Sequence, residues 1–162
     1  MKPRVKTMPA RTRKTSNPPN HKILVAVDFS DGSRAALRYA AQLASPFNAA
    51  VTVLNVVEVN NGWLKIGANE FPVLDEQLRE STRLRLADFT RENGGARSWQ
   101  CLTRLGKPVE EIVRIAAELE VDVVLIATRG LTGLKHAAIG STAEAVVRRA
   151  PCAVWIVPTR NA

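Results

Sequence analysis

Residues 21–28 read HKILVAVD, and the stretch from Ile23 to Val27 is continuously apolar. Such a run is typical of a strand that is buried on both faces, as in a parallel sheet. Residues 29–33, FSDGS, then supply residue types that commonly begin helices. The predicted helix carries its apolar side chains on one face, at Ala36, Ala40, Leu43, Ala44 and Phe47, and Pro46 is expected to end it.

The same order of strand and helix repeats along the rest of the chain. Strands are predicted at residues 51–57, 97–105, 121–127 and 152–157, and helices at 72–93, from Pro108 onward and at 141–149. The second and third helices are predicted to bury Leu74, Leu78, Leu86 and Phe89, and Val109, Ile112, Val113 and Ala116, respectively. This alternation predicts an α/β fold, an open parallel sheet with helices on both faces.

The charge of the chain is unevenly distributed. The 162 residues carry a formal net charge of +8, but residues 1–20 contain six basic residues and no acidic one, so +6 lies there. Their four prolines and lack of apolar periodicity predict a disordered basic extension, followed by a single domain over residues 21–160. Because the domain itself carries only +2, its composition disfavours nucleic acid as a partner.

Several interpretations of the extension are open. No apolar core follows the basic residues, which argues against a secretory signal. An organelle transit peptide would share the arginines and the lack of acids, but four prolines oppose its amphipathic helix. A solvated arm that weakly attracts phosphates and a variable extension without specific function are the remaining alternatives, and the second is preferred.

Other features of the sequence limit the class of protein to which the chain can belong. The longest apolar stretch, residues 123–127, is too short to cross a membrane. Cys101 and Cys152 have neither metal-site spacing nor a disulfide framework, so both are expected to be small buried hydrophobes. Without a signal peptide, the expected location is the cytoplasm.

The strongest candidate site lies between the fourth strand and the last helix. No GxxxxGK[ST] or GxGxxG motif follows a strand, which argues against a P-loop NTPase and a Rossmann dehydrogenase. Residues 130–142 read GLTGLKHAAIGST, in which Gly130 and Gly133 allow close backbone approach. The free amides after Gly140 would bind a phosphate, and Arg129 and Lys135 would add charge. Alternatively, residues 141–144, STAE, form a capping box that only satisfies helix-end amides.

Residues 123–157 resemble the carboxyl-terminal half of the universal stress protein family. The family's nucleotide-binding motif consists of a glycine, two residues of any type, a second glycine, nine residues of any type, and a third glycine that is followed by Ser or Thr. Here Gly130 is followed after nine residues by Gly140 and Ser141, and residues 150–157, APCAVWIV, are similar to the family's last strand. The first strand with Phe29-Ser30, and residues 105–108, LGKP, also fit. The first glycine of the motif falls on Ala127, whose methyl group would crowd a nucleotide.

The resemblance implies a sheet of order 3-2-1-4-5 and a homodimer formed through the last strand, Cys152 to Val157. It also implies ATP as a ligand, with Mg²⁺ or Mn²⁺ held through the phosphates. Asp28 would contact the nucleoside, Ala26, Val27 and Val56 would line the adenine, and Ala127 would lie beside the nucleotide. The ribose and phosphates would be held by Gly130, Gly140, Ser141 and Thr142, with Arg129 and Gly133 in the same loop.

Four functions follow as hypotheses. The leading one is a cytoplasmic stress-response module that binds ATP and is not an enzyme, because no residue clearly activates water at the γ-phosphate. The first alternative is a universal stress protein that binds no nucleotide and acts only through protein contacts. An AMP-forming ligase is disfavoured, because residues 28–33, DFSDGS, hold one glycine and two acids. Weak nucleic-acid binding through residues 1–20 is the last hypothesis.

Overall fold

The computed structural model describes residues 21–58, 72–96, 98–128 and 139–158, with the side chains of the second helix from residue 77 onward. It confirms the alternation of strands and helices. The elements are β1 (Lys22–Val27), α1 (Asp31–Phe47), β2 (Ala50–Val57), α2 (Pro72–Glu92), β3 (Gln100–Leu105), α3 (Pro108–Glu118), β4 (Val123–Ala127), α4 (Ser141–Arg149) and β5 (Ala153–Val157). The basic extension, residues 1–20, lies outside the described residues.

The five strands form one parallel sheet of order β3-β2-β1-β4-β5, which confirms the order that the family resemblance implied. The central strand, β1, pairs with β2 on one side and β4 on the other, so that Ala26 lies level with both Leu54 and Ile126. Because the chain winds outward in opposite directions from β1, the carboxyl ends of β1 and β4 flank the point where the winding reverses.

The sheet separates two apolar cores. On one face, side chains of β1, β2 and β4 pack against Ala36, Leu37 and Ala40 of α1 and Leu86 and Phe89 of α2. On the other face, alternate side chains of the same strands pack against α3 and α4, through Ile112, Ile115, Ala116, Ala143 and Val146. Burial on both faces explains why β1 is an almost unbroken apolar run.

Some predicted core positions are wrong. Pro46 lies near the end of α1 as expected, one residue before its last residue. Phe47, however, is 55% exposed, and its ring contacts His21. Leu78 of the predicted α2 stripe is 40% exposed, whereas Leu86 and Phe89 are buried. In α3, Ile115 is buried in the core and Val113 only half-buried. The Leu74 side chain lies outside the described residues.

The two cysteines are free, and each packs against one of the two apolar cores as expected, but both are half-buried rather than buried. Partial burial raises the pKa of the Cys152 thiol above its ordinary value, against a lowering by its backbone hydrogen bond with Val124. Within the described part of the chain, no helix combines the length and the apolar composition that crossing a membrane requires.

Candidate functional site

A cleft of about 440 Å³ lies over the carboxyl ends of β1, β2 and β4. Its volume falls within the range of about 300–1,000 Å³ that is common for small-molecule sites. It occupies the place where the winding of the sheet reverses, between the loop that follows β1 and the start of α4. In open parallel sheets this is the usual position of a ligand, because strand ends and helix starts converge there.

The cleft brings together eight of the residues that sequence reasoning selected for the nucleotide: Ala26, Val27, Asp28, Val56, Ala127, Gly140, Ser141 and Thr142. They come from four elements and their flanking loops, separated by up to 116 positions in the sequence. The other three selected residues, Arg129, Gly130 and Gly133, lie outside the described residues, as does Lys135.

Asp28 organises the corner between β1 and α1. Its Oδ1 accepts hydrogen bonds from the Ser33 hydroxyl at 2.7 Å and from the Ser30 amide at 3.1 Å, and its own amide donates to Ser33 Oγ at 2.8 Å. The N-cap of α1 is Ser30, whose hydroxyl accepts from the Ser33 amide at 3.2 Å. Asp28 is therefore not the cap itself, and its carboxylate is held in the cleft by two serines of the helix start.

The start of α4 is built differently. Gly140 is its N-cap, and Ser141 is already the first helical residue. The Gly140 amide donates to Thr128 O at 2.7 Å, which joins the end of β4 to the start of the helix. Glu144, the acidic member of the alternative capping box, accepts from Arg148 at 2.9 Å. Because Ser141 is not the N-cap, the capping-box interpretation is wrong, and no described side chain caps these amides.

Apolar residues form the walls between these two helix starts. Ala26, Ile126 and Ala127 belong to the central strands, and Pro108 and Ile112 of α3 face them across the cleft. Among the described lining residues the ionisable groups are the carboxylates of Asp28 and Glu58. The positive end of this part of the cleft is therefore the α4 start, where partial charge comes from backbone amides. No group of three or more metal-binding side chains occurs among the described residues.

Sequence reasoning missed several lining residues. Asn55, a buried polar residue within the apolar strand β2, donates from Nδ2 to the Val27 carbonyl at 2.9 Å and so joins the ends of β1 and β2. An amide side chain inside the run VTVLNVV was the signal for this role. Pro108 and Ile112 were assigned only to helix start and core, because their position over the cleft depends on how α3 crosses the sheet.

The chain is similar to known proteins of one family. The family model described as "Universal stress protein family" matches residues 19–158. A universal stress protein of Methanocaldococcus jannaschii is 30% identical over 138 residues, which are 84% of this chain and 81% of that protein. Among solved structures, the hypothetical protein MJ0577, the subject of a structure-based assignment of biochemical function, is 26% identical with a TM-score of 0.71, over 90% of this chain and 100% of that one.

Two further neighbours share the fold and were solved with nucleotides. A universal stress protein in complex with cAMP has a TM-score of 0.57 at 24% identity, over 85% of this chain and 95% of that one. One from Archaeoglobus fulgidus in complex with dAMP has a TM-score of 0.58 at 23% identity, over 86% and 99%. With the family model covering nearly all of the domain, the chain belongs to the universal stress protein family.

Proposed function

We propose that this protein is a cytoplasmic stress-response module that binds an adenine nucleotide, ATP in particular, in the cleft between β1 and α4. The observation that carries the proposal is the start of α4, where no described side chain occupies the helix amides that border the cleft. Uncapped amides and the positive helix end together favour a bound phosphate.

The cleft also supplies a place for the nucleoside. Its floor and far wall are apolar, at Ala26, Val56 and Ile126, which suits the faces of a purine. Beside the start of α1, the Asp28 carboxylate is an acceptor for ribose hydroxyls. This polarity orients the ligand with its phosphates toward α4, because the carboxylates of Asp28 and Glu58 repel them from the β1 side.

The nucleotides bound by the two neighbours support this ligand class. Both cAMP and dAMP consist of adenine, a sugar and one phosphate, and both are bound by proteins of the same fold. The proposed Mg²⁺ or Mn²⁺ would be held through the phosphates of ATP.

We propose binding without a chemical step. The Asp28 carboxylate accepts from the Ser30 amide and the Ser33 hydroxyl, which supports a role in holding the corner. The change that ATP brings about would therefore lie in the protein's contacts with itself or with partners.

The test is direct. The full chain is purified, denatured and examined for released nucleotide, and it is then titrated with ATP and Mg²⁺ and with AMP by calorimetry and thermal shift. We expect saturable binding at millimolar or lower concentration and a rise in melting temperature. Absence of both carried-over nucleotide and any shift at millimolar ligand contradicts the proposal.

Ala127 supports the alternative, a universal stress protein that acts through protein contacts alone. Its buried methyl group lines the cleft at the position where the family's motif has glycine. Ala127 is the last residue of β4, and its φ is not positive, so a side chain at this position does not strain the backbone. The methyl group can therefore affect binding only by limiting how closely a ligand approaches the strand. Ala127→Gly should raise nucleotide affinity if the methyl group is the obstacle. If both forms fail to bind, the alternative is favoured.

The partner proposed for the module is a second copy of the chain. β5 is the last strand of the sheet and pairs with β4 only, which leaves its other edge open within the described chain. Trp155 on this strand is 42% exposed and packs against Tyr39 at 5.2 Å. Trp155→Lys should convert a dimer to a monomer on size-exclusion chromatography. Phe47→Lys, at an exposed aromatic residue outside β5, is the control.

A further inference from the structure

Phe29, the residue after Asp28, has a backbone that its side chain disfavours. Its φ is +65°, in the left-handed region where a residue with a Cβ is strained. Two other described non-glycine residues share this feature, Asn48 and Glu120, and both follow helix ends, where it is common. Of the three, Phe29 is the one that lines the cleft. Strain of this kind persists only where surrounding contacts hold the residue in place.

The contacts on the Phe29 ring come from α2. The guanidinium carbon of Arg85 lies 4.0 Å from the ring centroid, and the Phe89 ring meets it edge to face at 5.3 Å and 79°. Arg34 of α1 lies over the Phe89 ring in turn, at 5.0 Å. The two phenylalanines therefore lie between the two arginines, in the order Arg85, Phe29, Phe89 and Arg34, and this stack joins α2 to the β1–α1 corner.

Arg85 differs from its neighbour on the same helix. Arg83 forms an ion pair with Glu80 at 2.7 Å, a common arrangement on an exposed helix surface. Within the described part of the chain Arg85 has no ion-pair partner, and its guanidinium lies over the Phe29 ring instead. Hydrogen bonds from Ser30 and Ser33 hold Asp28 from α1, and Asn55 holds the Val27 carbonyl from β2. The stack is the contact that α2 adds to the same corner.

We propose that Arg85 is a positioning residue of the nucleotide site. By covering the Phe29 ring it stabilises the left-handed backbone at Phe29, and this keeps the neighbouring Asp28 carboxylate aimed into the cleft. The inference rests on the proposed function, since it assigns α2 a role in the affinity of that site. It also means that a displacement of α2 would weaken nucleotide binding without any change in the residues that touch the ligand.

The experiment compares Arg85→Met, Arg85→Lys and the control Arg83→Met with the unaltered full chain. Methionine keeps much of the length of the side chain and removes its charge, whereas lysine restores a cation over the ring. We expect Arg85→Met to weaken AMP binding about threefold to fivefold by calorimetry, as loss of an exposed cation–π contact predicts. Arg85→Lys should recover most of the affinity, and Arg83→Met should leave it unchanged.

A second measurement does not depend on the ligand. Amide hydrogen exchange of the peptide that contains residues 28–33, in the nucleotide-free protein, should be faster in Arg85→Met than in Arg83→Met. All variants are compared at a temperature where thermal unfolding shows them folded. If the unaltered protein binds neither AMP nor ATP, the proposed function and this inference both fail; if it binds ATP alone, the variants are compared with ATP in place of AMP. If it binds AMP and Arg85→Met binds equally well, or exchanges no faster at residues 28–33, the inference alone is overturned.

Discussion

Two helices begin at the same edge of the sheet and face the same cleft, yet their first turns are built in opposite ways. At the start of α1, Ser30, Asp28 and Ser33 exchange hydrogen bonds, and Asp31 adds an acidic side chain to the first turn. At the start of α4, the cap is Gly140, and the acidic Glu144 pairs with Arg148 further along the helix. One helix start is satisfied by its own side chains, and the other presents amides to the cleft.

A helix start near a cleft is therefore not by itself an anion site. The dipole of α1 is already met by carboxylates, so a phosphate there would face like charge. The α4 start has the same dipole without a described side chain in the way. The placement of a few serines and acids thus decides which of two similar helix ends can receive a phosphate.

The largest expected effect comes from placing an acidic residue at the first helical position of α4, Ser141. Ser141→Asp should weaken ATP binding at least tenfold, because a carboxylate would compete for the amides and repel the phosphates. The free energy of unfolding should stay level or rise by about 0.3–1 kcal/mol, since an acid suits a helix start. Calorimetry and urea unfolding measure the two quantities.

Asp31→Asn at α1 is the matched control. It should leave ATP affinity unchanged and lower stability slightly, because this exposed acid serves the helix and not the ligand. Equal loss of ATP affinity in both variants would break the distinction between the two helix starts.

Replacing a serine by alanine at each helix start is expected to have an intermediate effect, on the free energy of unfolding. Ser30→Ala removes the side-chain cap of α1 and should lower the free energy of unfolding by about 1 kcal/mol. Ser141→Ala removes a hydroxyl that caps nothing and should change it by less than about 0.5 kcal/mol. Chemical denaturation of both variants checks the pair, and similar losses would show that α4 is also held by its serine.

The substitution with the smallest expected effect is at Gly140, and it tests whether the α4 amides are open because the N-cap is glycine. Gly140→Ser supplies a hydroxyl that can accept from an amide in the first turn, and it should raise stability by only a few tenths of a kcal/mol. ATP affinity should fall severalfold, because the new cap competes with the phosphate. Affinity that stays constant while stability rises would indicate that the ligand does not use these amides.

The sequence predicted the elements well where one physical signal dominated. The buried strand at residues 23–27 and the proline start of α3 at Pro108 lie where they were expected. The predictions failed where packing distant in sequence decided the outcome. Phe47 lies in register with the buried face of α1 but is exposed, with its ring against His21, and a periodicity has no information on which residues a neighbouring layer covers.

The sequence also identified some of the residues that line the cleft and missed others. Asp28, Ala127 and Gly140 were selected from strand ends and a motif, and all three line the cleft. The capping box at residues 141–144 was equally consistent with the sequence, and only the backbone conformation that places the cap at Gly140 decides against it. Asn55 was missed because its importance lies in a bond to Val27, 28 residues away. The contact of Arg85 with Phe29 was missed for the same reason.

By itself, the sequence determined the order of the elements, the parallel sheet and the concentration of charge in residues 1–20. These properties depend on local composition and on short periodicities, which a linear chain records directly. The tertiary structure alone decided which of two helix starts is open, and which side chains hold the corner beside Asp28. Those properties depend on hydrogen bonds and ring contacts between residues that only folding brings together.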